Sequence, residues 1–159
     1  MTRLRGRCKG GRRLVDSTPH GHWETTTMIG ALGANGSTAL MVIEGATDAA
    51  VFRAYVKHVL APTLRPGEIV VMDNLSSHKS PEIRELIEAA GAELWYLPPY
   101  SPDLNPIEKM WSKVKEFLRA YKARGTEELY QAIREALPEI TLQDAQGWFE
   151  SCGYCYGEP

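Results

Sequence analysis

Two periodicities run along the chain, and the switches between them mark its elements. Trp23 to Leu32 is rich in β-branched residues and predicts a strand, Ala34-Asn-Gly-Ser37 predicts a turn, and Thr38 to Glu44 predicts the partner strand of a hairpin. From Asp48 to Leu64 the period lengthens: Val51, Phe52, Tyr55, Val56, Val59 and Leu60 recur at three- and four-residue steps, with Thr47 or Asp48 as the helix cap. Pro66-Gly67 closes that helix. Ile69 to Met72 is apolar at every position, which predicts a central strand covered by layers on both faces. Ser80 to Ala90 is helical again and stops at Gly91, and Ala92 to Leu97 is another short strand.

Pro98 to Pro106 contains four prolines and predicts a stiff loop, because proline interrupts both helix and strand interiors. Asn105 then caps a helix that opens on Pro106, where the missing N–H costs nothing. Along it Ile107, Met110, Trp111, Val114, Phe117, Leu118 and Tyr121 form one apolar stripe. Helices over about 126–137 and 142–152 follow. Without a linker or an internal repeat, residues 1–159 read as one α/β domain.

Composition changes this picture at a few points. No apolar run approaches the roughly 20 residues that span a bilayer, and the basic start leads into no secretory segment, so a cytoplasmic protein is expected. The net charge is −2, but its distribution is uneven. Residues 1–13 carry six Arg/Lys and no acid; residues 109–124 carry six against Glu116; residues 125–159 hold seven acids against Arg134. Local basic patches, rather than the total, meet phosphates. Arg3, Arg5, Arg7, Lys109, Lys113 and Lys115 of these stretches, together with Lys79, are candidates for contact with phosphates. Ordinary solvated charge is the alternative. Cys8, Cys152 and Cys155 do not suggest a disulfide framework; Cys152-Gly-Tyr-Cys155, with His20 and His22, is a weak zinc candidate.

The candidate chemistry centres on two acids separated by thirty-four residues. Asp73 ends the apolar run Glu68-Ile-Val-Val-Met-Asp73, where open α/β sheets collect ligands. Glu108 lies in the first turn of the helix after the proline-rich loop. Each has a plain explanation: Asp73-Asn74 can begin a turn, and an acid near a helix start complements the macrodipole. A stiff loop holding a carboxylate is, however, what preorganised metal ligation requires.

Asp73-Asn-Leu-Ser-Ser-His-Lys79 and Pro98-Pro-Tyr-Ser-Pro-Asp-Leu-Asn-Pro-Ile-Glu108-Lys-Met-Trp-Ser-Lys113 closely resemble the catalytic segment of DDE transposases, in particular the mariner-like branch found in bacterial insertion sequences. The resemblance extends less sharply over the rest of the chain. It implies a ribonuclease-H-like mixed sheet with flanking helices. It also implies a site in which three acids hold two divalent ions, Mg²⁺ or Mn²⁺, for cutting and joining DNA strands. Asp73 matches the second acid and Glu108 the third, with Asn74 and His78 at supporting positions. The first acid belongs to an Asp-Glu-Thr-Gly-like strand that precedes the Arg-rich stretch, and this sequence begins at that stretch. Asp16 lies after it in an apparent turn, and Asp48 is accounted for by helix capping.

The expectation is therefore a catalytic domain lacking its first strand and first acid, weak as a nuclease on its own. A mistaken start, a second frame joined by frameshifting and a decayed remnant are the open origins. An amino-terminal transposase portion and a homodimer are the expected protein partners. The expected location is the bacterial cytoplasm, with association to the nucleoid when DNA is bound. The alternative is a non-catalytic DNA-binding or assembly fragment.

Overall fold

The computed structural model describes residue 10 and residues 25–155. Among the described residues, β1 (Thr26–Leu32) and β2 (Thr38–Glu44) form the antiparallel hairpin that the β-branched residues and the Asn-Gly turn predict, with Ile29 opposite Met41. The turn between them requires glycine at position 36: its φ is +80°, and a Cβ there would lie 3.2 Å from the Leu142 backbone. Both faces of the hairpin are used. Ile29, Ala31, Ala39 and Met41 pack on one core, and Met28, Leu32, Leu40 and Val42 on another. Strand alternation thus makes the hairpin a partition between two apolar clusters.

The first cluster is built by α1 (Ala49–Tyr55), α2 (Pro81–Ala89) and the parallel strands β3 (Ile69–Met72) and β4 (Glu93–Tyr96). Asp48 caps α1 as expected, its Oδ1 accepting from Val51 N–H at 2.8 Å. The helix predicted to reach Leu64 instead loosens into a π turn over Val56–Leu60 and a 3₁₀ turn over Ala61–Thr63. Pro62 explains the change, since it cannot donate to a helical carbonyl and its ring crowds the preceding turn. Tyr55, at the end of α1, spans to the hairpin: its hydroxyl donates to the Ala39 carbonyl at 3.0 Å, and burial pushes its pKa up.

The second cluster joins α3 (Pro106–Tyr121), α4 (Thr126–Ala136) and Ile140, which precedes α5 (Leu142–Ser151). Met110, Val114 and Leu118 of the predicted stripe are its buried centre. Trp111 seats α3 on β1 so closely that a Cβ at Gly30 would lie 3.2 Å from the indole. Substituting Gly30 therefore overpacks the contact that places α3.

One expectation fails in β3. Its sequence is apolar on both faces, yet only Val70 and Met72 are buried; Ile69 is 49% and Val71 37% exposed, as is Trp95 on β4 at 55%. Among the described residues the strands form two separate pairs, β1–β2 and β3–β4, and nothing in that set covers this face. Apolar patterning reports what a strand can bury, not whether a layer is present to bury it.

Candidate active site

Asp73 follows β3 directly, and the parallel pairing places the exit of β4 at the same end of the sheet. Leu97 N–H, just after β4, donates to the Met72 carbonyl at 2.8 Å, so the two exits are hydrogen-bonded neighbours. Asn74 strengthens this link, its Nδ2 donating to the Leu97 carbonyl at 3.2 Å. It ties the turn bearing Asp73 to the residue from which the proline-rich loop departs.

The Asp73 carboxylate is partly ordered by its own turn. Oδ1 accepts from Leu75 N–H at 3.1 Å, an Asx-type contact, and the same oxygen lies 2.6 Å from His78 Nδ1. The Asp73 side chain is 41% exposed and that of His78 17%. Despite its closeness, the His78 contact is out of line for hydrogen bonding, and Nδ1 is buried without an aligned partner. The His78 ring stacks on Phe52 of α1, with centroids 4.0 Å apart and planes at 27°. Its carbonyl accepts from the Tyr96 hydroxyl at 2.8 Å. Sequence reading missed Phe52 and Tyr96 here: both look like ordinary core positions, and only tertiary structure brings them to His78.

The loop holding the other acid is pinned at both ends. After Leu97 it runs through Tyr100, which is fully exposed and has φ +58°, an unfavourable value for a non-glycine residue. A 3₁₀ turn over Pro102–Leu104 leads to buried Pro106, and the Leu104 carbonyl accepts from the Tyr154 hydroxyl at 2.9 Å. Burial, with a smaller contribution from nearby Cys152, raises the Tyr154 pKa. Asn105 occupies the cap position predicted for it, though its side chain makes no capping hydrogen bond. Glu108 is exposed in the first turn of α3, and no described residue engages its carboxylate.

Asp73 Oδ2 and the Glu108 carboxylate are hard oxygen donors, the type that Mg²⁺ and Mn²⁺ take, so these two residues suit such an ion chemically. They are only part of a ligand set: among the described residues no three His, Cys, Asp or Glu side chains gather as a metal site. Asp48 is engaged as a helix cap. Cys152 is buried and Cys155 exposed, and the two form no disulfide. Arg3, Arg5 and Arg7, together with Cys8, Asp16, His20 and His22, lie outside the described residues.

The candidate DNA contacts fall into two groups. Lys79 and Lys115 are exposed. Lys109 Nζ donates to Ser151 Oγ, and Lys113 Nζ lies 2.6 Å from Asp144 Oδ2 and donates to the Glu139 carbonyl at 2.6 Å. Asp144 also closes the capping box of α5 with Thr141. The Lys113 hydrogen bond foremost, then those from Thr141, hold the Asp144 pKa down at about 2. Lys113 therefore fastens α3 to α5, a role that its place among basic residues did not reveal.

Curated relatives match parts of the chain. The Transposable element Tcb2 transposase of Caenorhabditis briggsae is 28% identical over 103 residues, 60% of this chain and 38% of the relative. The Tcb1 transposase of the same nematode is 26% identical over 113 residues, covering 69% and 41% respectively. The Tc1 transposase of Caenorhabditis elegans is 26% identical over 98 residues, covering 57% and 36%. The chain thus spans about two fifths of the length of the relatives it matches. Residues 1–130, which include both acids and the loop between them, match the family described as DDE superfamily endonuclease, and the chain belongs to that family.

Proposed function

We propose that this chain is the catalytic domain of a DNA transposase of the mariner-like kind, contributing Asp73 and Glu108 to a ribonuclease-H-like site for metal-dependent cleavage and strand transfer at transposon ends. The observation that carries this reading is the shared sheet end: Asp73 and the loop leading to Glu108 leave β3 and β4 side by side, and each acid keeps oxygen free for a cation. Bound Mg²⁺ or Mn²⁺ would activate the attacking oxygen and stabilise the leaving one. The protein's part is to hold charge in place for in-line displacement, Asp73 through its turn and Glu108 through the rigid loop.

The finer features of the proposal follow from the sequence. Two of the family's three acids are assigned, and with the first acid unassigned the free chain is read as a weak nuclease. Partners are double-stranded DNA, an amino-terminal transposase portion and a second copy. The setting is a bacterial insertion sequence acting in the cytoplasm at the nucleoid. No helix of the described residues is long and apolar enough to cross a membrane.

With the family's first acid unassigned, the second reading is a non-catalytic DNA-binding or assembly fragment. Plasmid nicking in Mg²⁺ or Mn²⁺ decides between them, using the chain alone and the chain joined to the reading frame upstream of Met1. The expected result is slow nicking alone and faster nicking when joined, abolished by Asp73→Ala or Glu108→Ala. Nicking that survives both substitutions would remove the acids from the mechanism. Failure of the joined protein to nick would favour the non-catalytic fragment.

A further inference from the structure

We propose that His78 is a positioning residue for Asp73, a strut that turns one carboxylate oxygen inward and so presents the other, Oδ2, to a cation. The inference rests on the reading of Asp73 as a metal ligand and adds a division of labour between its two oxygens. Both protein contacts of the carboxylate, from Leu75 N–H at 3.1 Å and His78 Nδ1 at 2.6 Å, fall on Oδ1. Oδ2 is left without a protein partner among the described residues.

The strut is braced from two directions. Phe52, itself only 5% exposed in the first core, covers the face of the imidazole at 4.0 Å. Tyr96 fixes the His78 backbone through its hydroxyl at 2.8 Å. These contacts join α1 and β4 to the turn after β3, α1 through the His78 ring and β4 through its backbone. A histidine in a short 3₁₀ turn could otherwise rotate to satisfy its nitrogen. Here Nδ1 stays buried, close to Oδ1 and poorly aligned with it. A buried ring nitrogen held against a carboxylate without a well-aligned hydrogen bond calls for an explanation. Partners that orient a metal ligand in this way commonly influence affinity as strongly as poor ligation does.

The test is Mn²⁺ binding followed by water-proton relaxation, which needs no turnover, alongside thermal melting. His78→Phe keeps a ring on Phe52 and removes the nitrogen. It is expected to weaken Mn²⁺ binding by about tenfold to a hundredfold with little change in melting temperature. His78→Asn, which returns an amide N–H towards the same oxygen, should recover part of the loss. If Asp73→Ala abolishes binding while His78→Phe binds like the wild type, the strut is wrong and the metal role of Asp73 stands. If Asp73→Ala itself leaves binding unchanged, both ideas fall. Weaker binding that tracks a lower melting temperature, without rescue by His78→Asn, would reduce His78 to a structural residue and overturn the proposal.

Discussion

Asp73 sits in a turn where one carboxylate oxygen already has two protein neighbours, whereas Glu108, at the start of α3, has none among the described residues. Asp73 is oriented by side-chain and turn contacts to its own carboxylate, and Glu108 only through the frame that carries it: a proline-rich loop, a buried Pro106 and a helix seated on Gly30 through Trp111. Local order thus reaches the two carboxylates in two ways. They differ in what they tolerate, since a carboxylate locked by short contacts cannot change length, while one displayed from a rigid helix start can.

The largest test of this contrast exchanges the acids. In the joined protein, Asp73→Glu should reduce metal-dependent nicking about as far as Asp73→Asn, by on the order of 10² to 10³, because the longer side chain abandons the Leu75 and His78 contacts. Glu108→Asp should retain measurably more activity than Glu108→Gln. Equal tolerance at the two positions in single-turnover nicking would erase the distinction.

A smaller effect concerns how α3, and with it Glu108, is fixed. The Asp144 pKa is held at about 2, below the ordinary value of 3.8, so the Lys113–Asp144 link is complete above the ordinary value. It is lost as pH falls from there through about 2. Because both side chains are partly exposed, the contribution is about 1 kcal/mol after solvent screening. Urea denaturation between pH 5 and pH 2 checks this: Lys113→Met should remove that part of the acid sensitivity. An unchanged pH profile would show that Lys113 does not anchor the helix.

The smallest expected effect separates lysines near the two acids. Lys79 and Lys115 are exposed, so replacing either with Ala should lower the slope of log affinity against log salt by about 1 for duplex DNA. Lys113→Met should change that slope less, its charge being engaged with Asp144. A slope that responds only to Lys113 would reverse this assignment.

What the sequence made legible was local. The hairpin, the Asp48 cap, the start of α3 at Pro106 and its stripe through Met110, Val114 and Leu118 all depend on neighbours within a few residues. The nomination of both acids also came from a motif and its spacing. The stack of Phe52 on His78 and the pairing of Lys113 with Asp144 did not, because each joins residues far apart in sequence through the tertiary fold. The bare face of Ile69 and Val71 was hidden for another reason: its residues carry the same apolar signal whether or not a layer covers them.

The parallel run of β3 and β4 has a practical consequence at the opposite end of the pair. There Gly67, ahead of β3, donates its N–H to the Gly91 carbonyl, ahead of β4, at 2.8 Å. The exposed turn at Arg65–Pro66 lies at that end, a full strand length from Asp73. It offers an attachment point for a fluorophore or surface tether, from which the proposed binding of DNA could be tested without placing the label beside Asp73.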